Sequence, residues 1–252
     1  MRETSPHKVK ILGIIPARGG STSIRYKNIA DVGGKPLIYY SIQEAQKSKL
    51  LDAFIVSTDS PKIAKVAKRL GADVPFLRPS NTAEKFSAEI EYQQHALAWL
   101  EKHRGWQPEI VVIIKATSPL RPASDIDKVI KVLKKGNFSM VRTVAKPDQH
   151  PYRMWIVDKQ TNRLHSLLPE FVSRVDFAKW GNDVPRQKLS KVYFHNGAVD
   201  AIWAKNIKRG VRAVFAGPIG AVISDPKTAV DIDEPRDLEI VAGLLKQKRA
   251  AK

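Results

Sequence analysis

Cysteine is absent from the 252 residues, which excludes disulfides and thiolate metal sites. Long apolar runs are missing too: none reaches the roughly 18 to 20 residues that span a bilayer. The first ten residues are polar and carry no apolar signal-peptide region. Together these absences set the expectation of a soluble, cytoplasmic protein with no membrane partner. Acidic residues are scarce, 25 against 43 lysines and arginines, giving a formal net charge of +18. Such an excess suits nucleic acid, an anionic membrane or acidic small molecules. Much of it is lysine at helical spacing, as in Lys62, Lys65 and Lys68 or Lys128, Lys131, Lys134 and Lys135, the pattern of a solvated helix face. No RNP-like aromatic run, KH element or zinc site accompanies the charge. Nucleic acid is therefore not an expected partner, and a non-catalytic basic nucleic-acid-binding scaffold stands as the competing reading.

What is present is an alternation of strand-like and helix-like segments. Strands are expected at 9–15, 53–58, 109–115, 140–145 and 192–203, and helices at 37–48, 61–70, 88–103, 124–135 and 234–245. This order argues for βαβ units, an α/β fold with a mainly parallel sheet flanked by helices. Ser60-Pro61 and Ser124 read as helix starts. Gly71 and Gly136 read as helix ends. Residues 146–190 are less regular, with Pro147, Pro151, Pro169 and Pro185 and the aromatics Trp155, Phe171, Phe177 and Trp180. They read as an excursion from a single domain covering 1–252, or else as a loosely packed loop layer. The basic tail from Lys246 is expected to fray.

The strand at 9–15 ends in Ile14-Ile15-Pro16-Ala17-Arg18-Gly19-Gly20-Ser21, with Lys27-Asn28 following. Two glycines let backbone N–H groups approach a ligand. Arg18, Ser21, Lys27 and Asn28 add two cations, a hydroxyl and an amide, a set suited to a triphosphate. The spacing is neither G-x-x-x-x-G-K-[ST] nor G-x-G-x-x-G, and a basic surface turn is the alternative. Near the other end, Asp231-Ile232-Asp233 would, in a strand, project two carboxylates to one face about 7 Å apart at Cα. Such a pair beside a triphosphate can hold Mg²⁺; otherwise Asp233 caps the helix that follows.

From the glycine segment onward the chain resembles the cytidylyltransferases that activate acidic sugars, the CMP-sialic acid synthetase (acylneuraminate cytidylyltransferase) family. The likeness continues in order through Gly34-Lys35-Pro36-Leu37-Ile38, Val56-Ser57-Thr58-Asp59, Leu77-Arg78-Pro79, Ala116-Thr117-Ser118-Pro119-Leu120-Arg121, Pro185-Arg186-Gln187, Asn196-Gly197-Ala198 and Val230-Asp231-Ile232-Asp233. The resemblance implies a Rossmann-like nucleotidyltransferase (GT-A-like) fold with a protruding dimerisation arm at 146–190 that helps cover the sugar site of a homodimer. It implies attack by a sugar-acid hydroxyl on the α-phosphorus of CTP, with Mg²⁺ held by Asp231 and Asp233. Ala17, Arg18, Gly19, Ser21, Lys27, Asn28 and Arg78 would bind the nucleotide. Arg18, Lys27 and Asp231 would be catalytic, and Lys115, Arg186, Gln187 and Asn196 would contact an acidic nine-carbon 2-keto sugar of sialic, legionaminic or pseudaminic type. GTP, or another acidic sugar, is the alternative within the same fold. By themselves Arg186 reads as a surface arginine and Asn196-Gly197 as a turn. The chain departs from the family at Thr22-Ser23 in place of Lys-Gly, at Arg25-Tyr26, at Lys115 in place of glutamine, and at Phe194-His195 in place of Arg-Pro.

Overall fold

The computed structural model describes residues 9–84, 87–167 and 183–250. Pro169, Phe171, Phe177 and Trp180 of the expected excursion lie outside the described residues, as does the end of the basic tail beyond residue 250. The chain divides into two compact units, one of residues 1–144 with 195–252 and the other of residues 145–194.

A six-stranded sheet forms the centre of the first unit. Its strands are β1 (Ile11–Pro16), β4 (Ala53–Ser57), β5 (Ile110–Ile114), β6 (Met140–Ala145), β9 (Phe194–Trp203) and β10 (Ile219–Ile223), in the order β10-β6-β9-β5-β1-β4. The remaining strands are β2 (Asp31–Val32), β3 (Lys35–Pro36), β7 (Trp155–Asp158) and β8 (Arg163–Ser166). Parallel pairing joins β1 to β4 and β5, and β10 to β6, while β9 runs antiparallel to β5 with Ile114 opposite Val199. Pro16 is the last residue of β1, opposite Ser57, so the proline ends the strand from within.

Burial on both faces explains the continuous apolar runs in β1 and β5. On one face Ile11, Ile15, Val112 and Ile114 pack with Ile38 and Ile42 of α1 (Leu37–Lys47), Ile63 of α2 (Pro61–Arg69), and Val129 and Leu133 of α4 (Ala123–Lys135). On the other, Leu12, Ile14, Val111 and Ile113 meet Leu97 and Leu100 of α3 (Glu89–Arg104) and Ile207 of α5 (Ala204–Lys208). The two-residue alternation of a strand thus sorts one sequence run into two cores. A third cluster packs Val241 and Leu245 of α6 (Pro235–Ala250) on Val32, Leu37 and Ile232. The lysines at 62, 65 and 68 and at 128, 131, 134 and 135 are exposed on α2 and α4.

Several local expectations change. Ser60 does cap α2, its Oγ accepting from Ile63 N at 3.4 Å. Ser124 does not cap α4: the helix starts one residue earlier and Glu44 of α1 accepts from Ala123 N at 2.7 Å, a tertiary cap invisible to local sequence. Gly71 takes the left-handed conformation at φ 82°, whereas Gly136 has φ −102° and ends α4 in extended backbone. Space explains Gly136 better, because a Cβ there would lie 2.2 Å from the Phe138 ring. Asp231-Ile232-Asp233 is irregular chain and not a ladder strand, tied to the sheet region by Ile232 N donating to Thr117 O at 2.9 Å. Asn196-Gly197 is not a turn between elements, since both residues lie inside β9, with Gly197 at φ 67°.

The second unit is more regular than its composition suggested. The strands β7 and β8 form an antiparallel hairpin, Trp155 opposite Ser166 and Asp158 opposite Arg163. Trp155, Ile156, Val157 and Leu164 are exposed on it.

Gly13 sits in the middle of β1 with Phe54 Cβ 2.9 Å, Leu51 Cδ1 3.1 Å and Ile114 Cδ1 3.3 Å from where a Cβ would stand. Gly13→Ala is expected to lower the unfolding free energy by about 1–3 kcal/mol through overpacking, read as an earlier urea midpoint with an unchanged m-value.

Candidate active site

Parallel strands end together, so the loops after β1, β4 and β5 converge on one edge of the sheet, and the antiparallel β9 begins there. Ligands in open α/β sheets bind outside this edge. A cleft of about 530 Å³ lies along it, lined by Arg18, Ser21, Lys27 and Asn28 of the glycine segment, Arg78, Thr82, Ala83, Glu84, Ser87, Glu89, Tyr92, Lys115, Thr117, His195, Gly197, Asp231 and Asp233. Residues more than two hundred positions apart in the chain meet here.

The glycine segment is braced from beneath. Ala17 N donates to Ser57 O at 2.9 Å. Gly19 N donates to Asp59 Oδ1 at 2.9 Å, so this N–H faces a carboxylate at the end of β4 and not the cleft. Asn28 is buried and its Nδ2 donates to Arg18 O at 3.0 Å, closing the loop on itself. Tyr26 holds φ 52°, a left-handed position costly for a bulky residue. It sets up the tight turn Lys27–Ile29 that aims Lys27 inward. Arg18 donates to Glu84 O at 2.9 Å.

Lys27 reaches across to the other chain end. Its Nζ donates to Ile232 O at 2.7 Å and to Asp233 Oδ1 at 3.1 Å. Asp231 accepts from Ser118 Oγ at 3.1 Å. Ile232 is buried while Asp231 and Asp233 are exposed and both line the cleft. The cap expected of Asp233 is supplied instead by Asp237, whose Oδ2 accepts from Asp233 N and Glu234 N at 2.9 and 2.8 Å. Those two backbone donors hold the Asp237 carboxyl below the usual carboxylate range. Among the described residues no group of three or more His, Cys, Asp or Glu has metal-site geometry. Two carboxylates are nevertheless the donor set that suits Mg²⁺, which takes one or two protein carboxylates and fills its shell with phosphate oxygens and water.

Arg78 is buried against Tyr92, its guanidinium carbon 5.3 Å from the ring centroid, with Asp59 Oδ1 3.8 Å from Nη2. Burial pushes the Arg78 guanidinium down and the Asp59 carboxylate opposes this. Burial pushes the Tyr92 phenol up. Lys115 forms an ion pair with Glu89 at the start of α3. Asn196 does not line the cleft: it is buried, and its Oδ1 accepts from Thr143 Oγ1 at 2.7 Å and Ala198 N at 3.2 Å. Arg186 and Gln187 belong to the second unit, where they line a hollow of about 540 Å³ with Lys146, His150, Lys191 and Tyr193. There Arg186 donates to Asp148 O at 2.8 Å.

Sequence reasoning did not assign Asp59, Glu89, Tyr92, Ser118 or His195 to the site. Asp59 had a usable signal, an acidic residue one position past the end of an expected parallel strand. Tyr92 and Glu89 lie in the first turn of an ordinary-looking helix and carried none.

The family model described as Cytidylyltransferase matches residues 12–154. Post-translational flagellin modification protein B of Campylobacter coli is 31% identical over 95% of this chain and 96% of its own. CMP-N,N'-diacetyllegionaminic acid synthase of Campylobacter jejuni is 32% identical over the same 95% and 96%. Among solved structures, a CMP:2-keto-3-deoxy-manno-octonic acid synthetase complexed with CTP superposes with a TM-score of 0.67 at 15% identity, covering 95% of this chain and 99% of that one. At that identity the likeness concerns the fold alone.

Asp59 is the joint between the glycine segment and Arg78. Asp59→Ala is expected to weaken binding of a nucleoside triphosphate by about 10-fold, the scale of losing a charge-assisted hydrogen bond, in a titration calorimetry measurement with the unfolding midpoint monitored in parallel.

Proposed function

The chain belongs to the cytidylyltransferase family, and on that premise we propose that it activates a nine-carbon 2-keto sugar acid of the sialic, legionaminic or pseudaminic kind with CTP, yielding the CMP-sugar and pyrophosphate. The observation that carries the reading is the meeting of Arg18, Lys27, Asp231 and Asp233 in one cleft at the carboxyl edge of the sheet. Full-length similarity to a CMP-N,N'-diacetyllegionaminic acid synthase supports the acceptor class.

The reaction forms a bond between the acceptor hydroxyl oxygen and the α-phosphorus while the bond to the pyrophosphate leaving group breaks. The acceptor's proton leaves with solvent or buffer. Little covalent chemistry falls to the protein; positioning and neutralisation of charge dominate. Arg18 and Ser21 hold phosphate oxygens. Lys27 places its ammonium on the transferred phosphoryl group, and its bond to Ile232 O keeps the glycine segment registered against the carboxylates. Asn28 keeps that segment's shape. Arg78, stacked on Tyr92, faces the nucleoside. Asp231 and Asp233 would hold Mg²⁺, which when bound supplies positive charge to the phosphates and fixes their geometry. Lys115 stands on the acceptor side. Arg186 and Gln187 are proposed as acceptor contacts from the second unit, Arg186 because a guanidinium grips a carboxylate in bidentate fashion. Asn196 serves the acceptor indirectly, by shaping β9. A homodimer is part of the proposal, supported by the exposed apolar side chains of the β7–β8 hairpin.

Pyrophosphate release is the direct test. With Mg²⁺, CTP and one nine-carbon acid should give release, while GTP, UTP and ATP should not. Asp231→Ala and Asp233→Ala should each lower kcat by about 100-fold or more, and chelation should stop turnover. Release with GTP in place of CTP would overturn the base assignment, and no release with any pair from folded protein would overturn the acceptor class.

A further inference from the structure

The strand β9 contains a pair that a regular strand forbids. His195 and Asp200 are five residues apart, which in an extended strand means opposite faces and about 16 Å of chain. Yet His195 Nε2 lies 3.2 Å from Asp200 Oδ1. The chain closes this gap at Gly197, whose φ of 67° puts a left-handed residue inside the strand, as in a bulge. Asn196 holds the kink, its Oδ1 accepting from Ala198 N on the far side of the glycine and from Thr143 Oγ1. Thr143 in turn accepts from Val199 N at 3.0 Å. The Asn-Gly-Ala segment is therefore a backbone device, and what it aims is the imidazole.

Asp200 is suited to hold that ring. Its side chain is 6% exposed, and Arg142 Nη2 lies 3.3 Å from its other oxygen, so the carboxylate cannot swing away. In the neutral imidazole that donates Nε2–H to this buried carboxylate, the remaining ring nitrogen is an acceptor. The His195 ring is 37% exposed and lines the cleft. The lining also includes Lys115, already paired with Glu89, whereas His195 meets Asp200 through Nε2 alone and keeps its second ring nitrogen for a ligand.

Position along the sheet separates this wall from the nucleotide. The glycine segment follows β1, and β9 is two strands away across β5, about 10 Å at ordinary strand spacing. A ligand held by Arg18, Ser21 and Lys27 leaves His195 to the second substrate. Resting on the proposed sugar-acid transfer, we propose that His195 is a specificity-determining residue that accepts a hydrogen bond from a hydroxyl or amide N–H of the acceptor sugar, and that Asp200 is its positioning residue.

Steady-state kinetics on the full chain test this, with CTP and the acceptor varied separately for wild type, His195→Gln and Asp200→Asn. His195→Gln should raise the KM for the acceptor roughly 10-fold, with the KM for CTP and kcat changed less than about two-fold. Acceptor analogues each lacking one hydroxyl or amide donor should include one that costs wild type a similar factor and costs His195→Gln nothing further, because both lose the same bond. Asp200→Asn should reproduce the acceptor KM effect with the imidazole still present. An unchanged acceptor KM in His195→Gln, or equal rises in both KM values, would overturn the proposal. So would additive losses for every analogue, a result that stands even if Asp200→Asn fails to fold. Absence of turnover in wild type would instead strike the sugar-acid reading itself.

Discussion

One buried guanidinium holds the floor of the cleft. Arg121 is 2% exposed, and its Nη1 lies 3.0 Å from Lys115 O, 3.5 Å from Ser118 O and 3.4 Å from Ala198 O. It therefore ties the end of β5, the turn after it and the kinked stretch of β9. Burial pushes this guanidinium down to about 10, against the opposing pull of Glu44 and Asp125, so it stays charged at neutral pH. Three carbonyls replace the hydration of Nη1, while Nε and Nη2 are buried with no hydrogen-bond partner among the described residues. Those carbonyls belong to the three segments that carry Lys115, Ser118 and Gly197. Ser118 then orients Asp231, and the glycine aims His195, so the placement of both carboxylate and imidazole passes through this contact.

The cleft's two halves are built by different means. The half formed by the glycine segment relies on backbone braced by side chains from beneath: Asp59 under Gly19, and Asn28 under Arg18. The carboxylate half relies on a link between chain ends, in which Lys27 binds the backbone at Ile232 and the side chain of Asp233. That ion pair is uneven, with Lys27 13% and Asp233 76% exposed at the side chain. An exposed partner contributes little stability. The bond from Nζ to the Ile232 carbonyl is what fixes the lysine, so its position does not depend on the exposed Asp233 carboxylate.

Positive charge serves the site less than the total implies. The lysines of α2 and α4 lie on solvent-facing helix surfaces, while at the cleft Lys27 pairs with Asp233, Lys115 with Glu89 and Arg78 faces Asp59. Local pairing and not net charge shapes the field a triphosphate meets.

The layered α/β architecture was readable because buried parallel strands demand continuous apolar runs and their helices demand a 3.6-residue period; both signals are local. The glycine segment and the two aspartates were readable for a similar reason, since each concentrates unusual chemistry within a few residues. Contacts between distant segments were not. Nothing near Ala123 announces that Glu44 caps its helix, and nothing near Lys115 announces Glu89. Asn196-Gly197 shows the limit most clearly: the pair carries the local signature of a turn, yet it lies within β9, whose Val199–Trp203 stretch is held against β5. The same two residues then become a kink that turns His195 back onto Asp200. The sequence by itself determined the layers and the chemical inventory of the site, because these rest on periodicity and residue type. Only the tertiary structure decided which side chains brace, which pair and which face the cleft, because those outcomes depend on carbonyls, carboxylates and cations brought together from far along the chain.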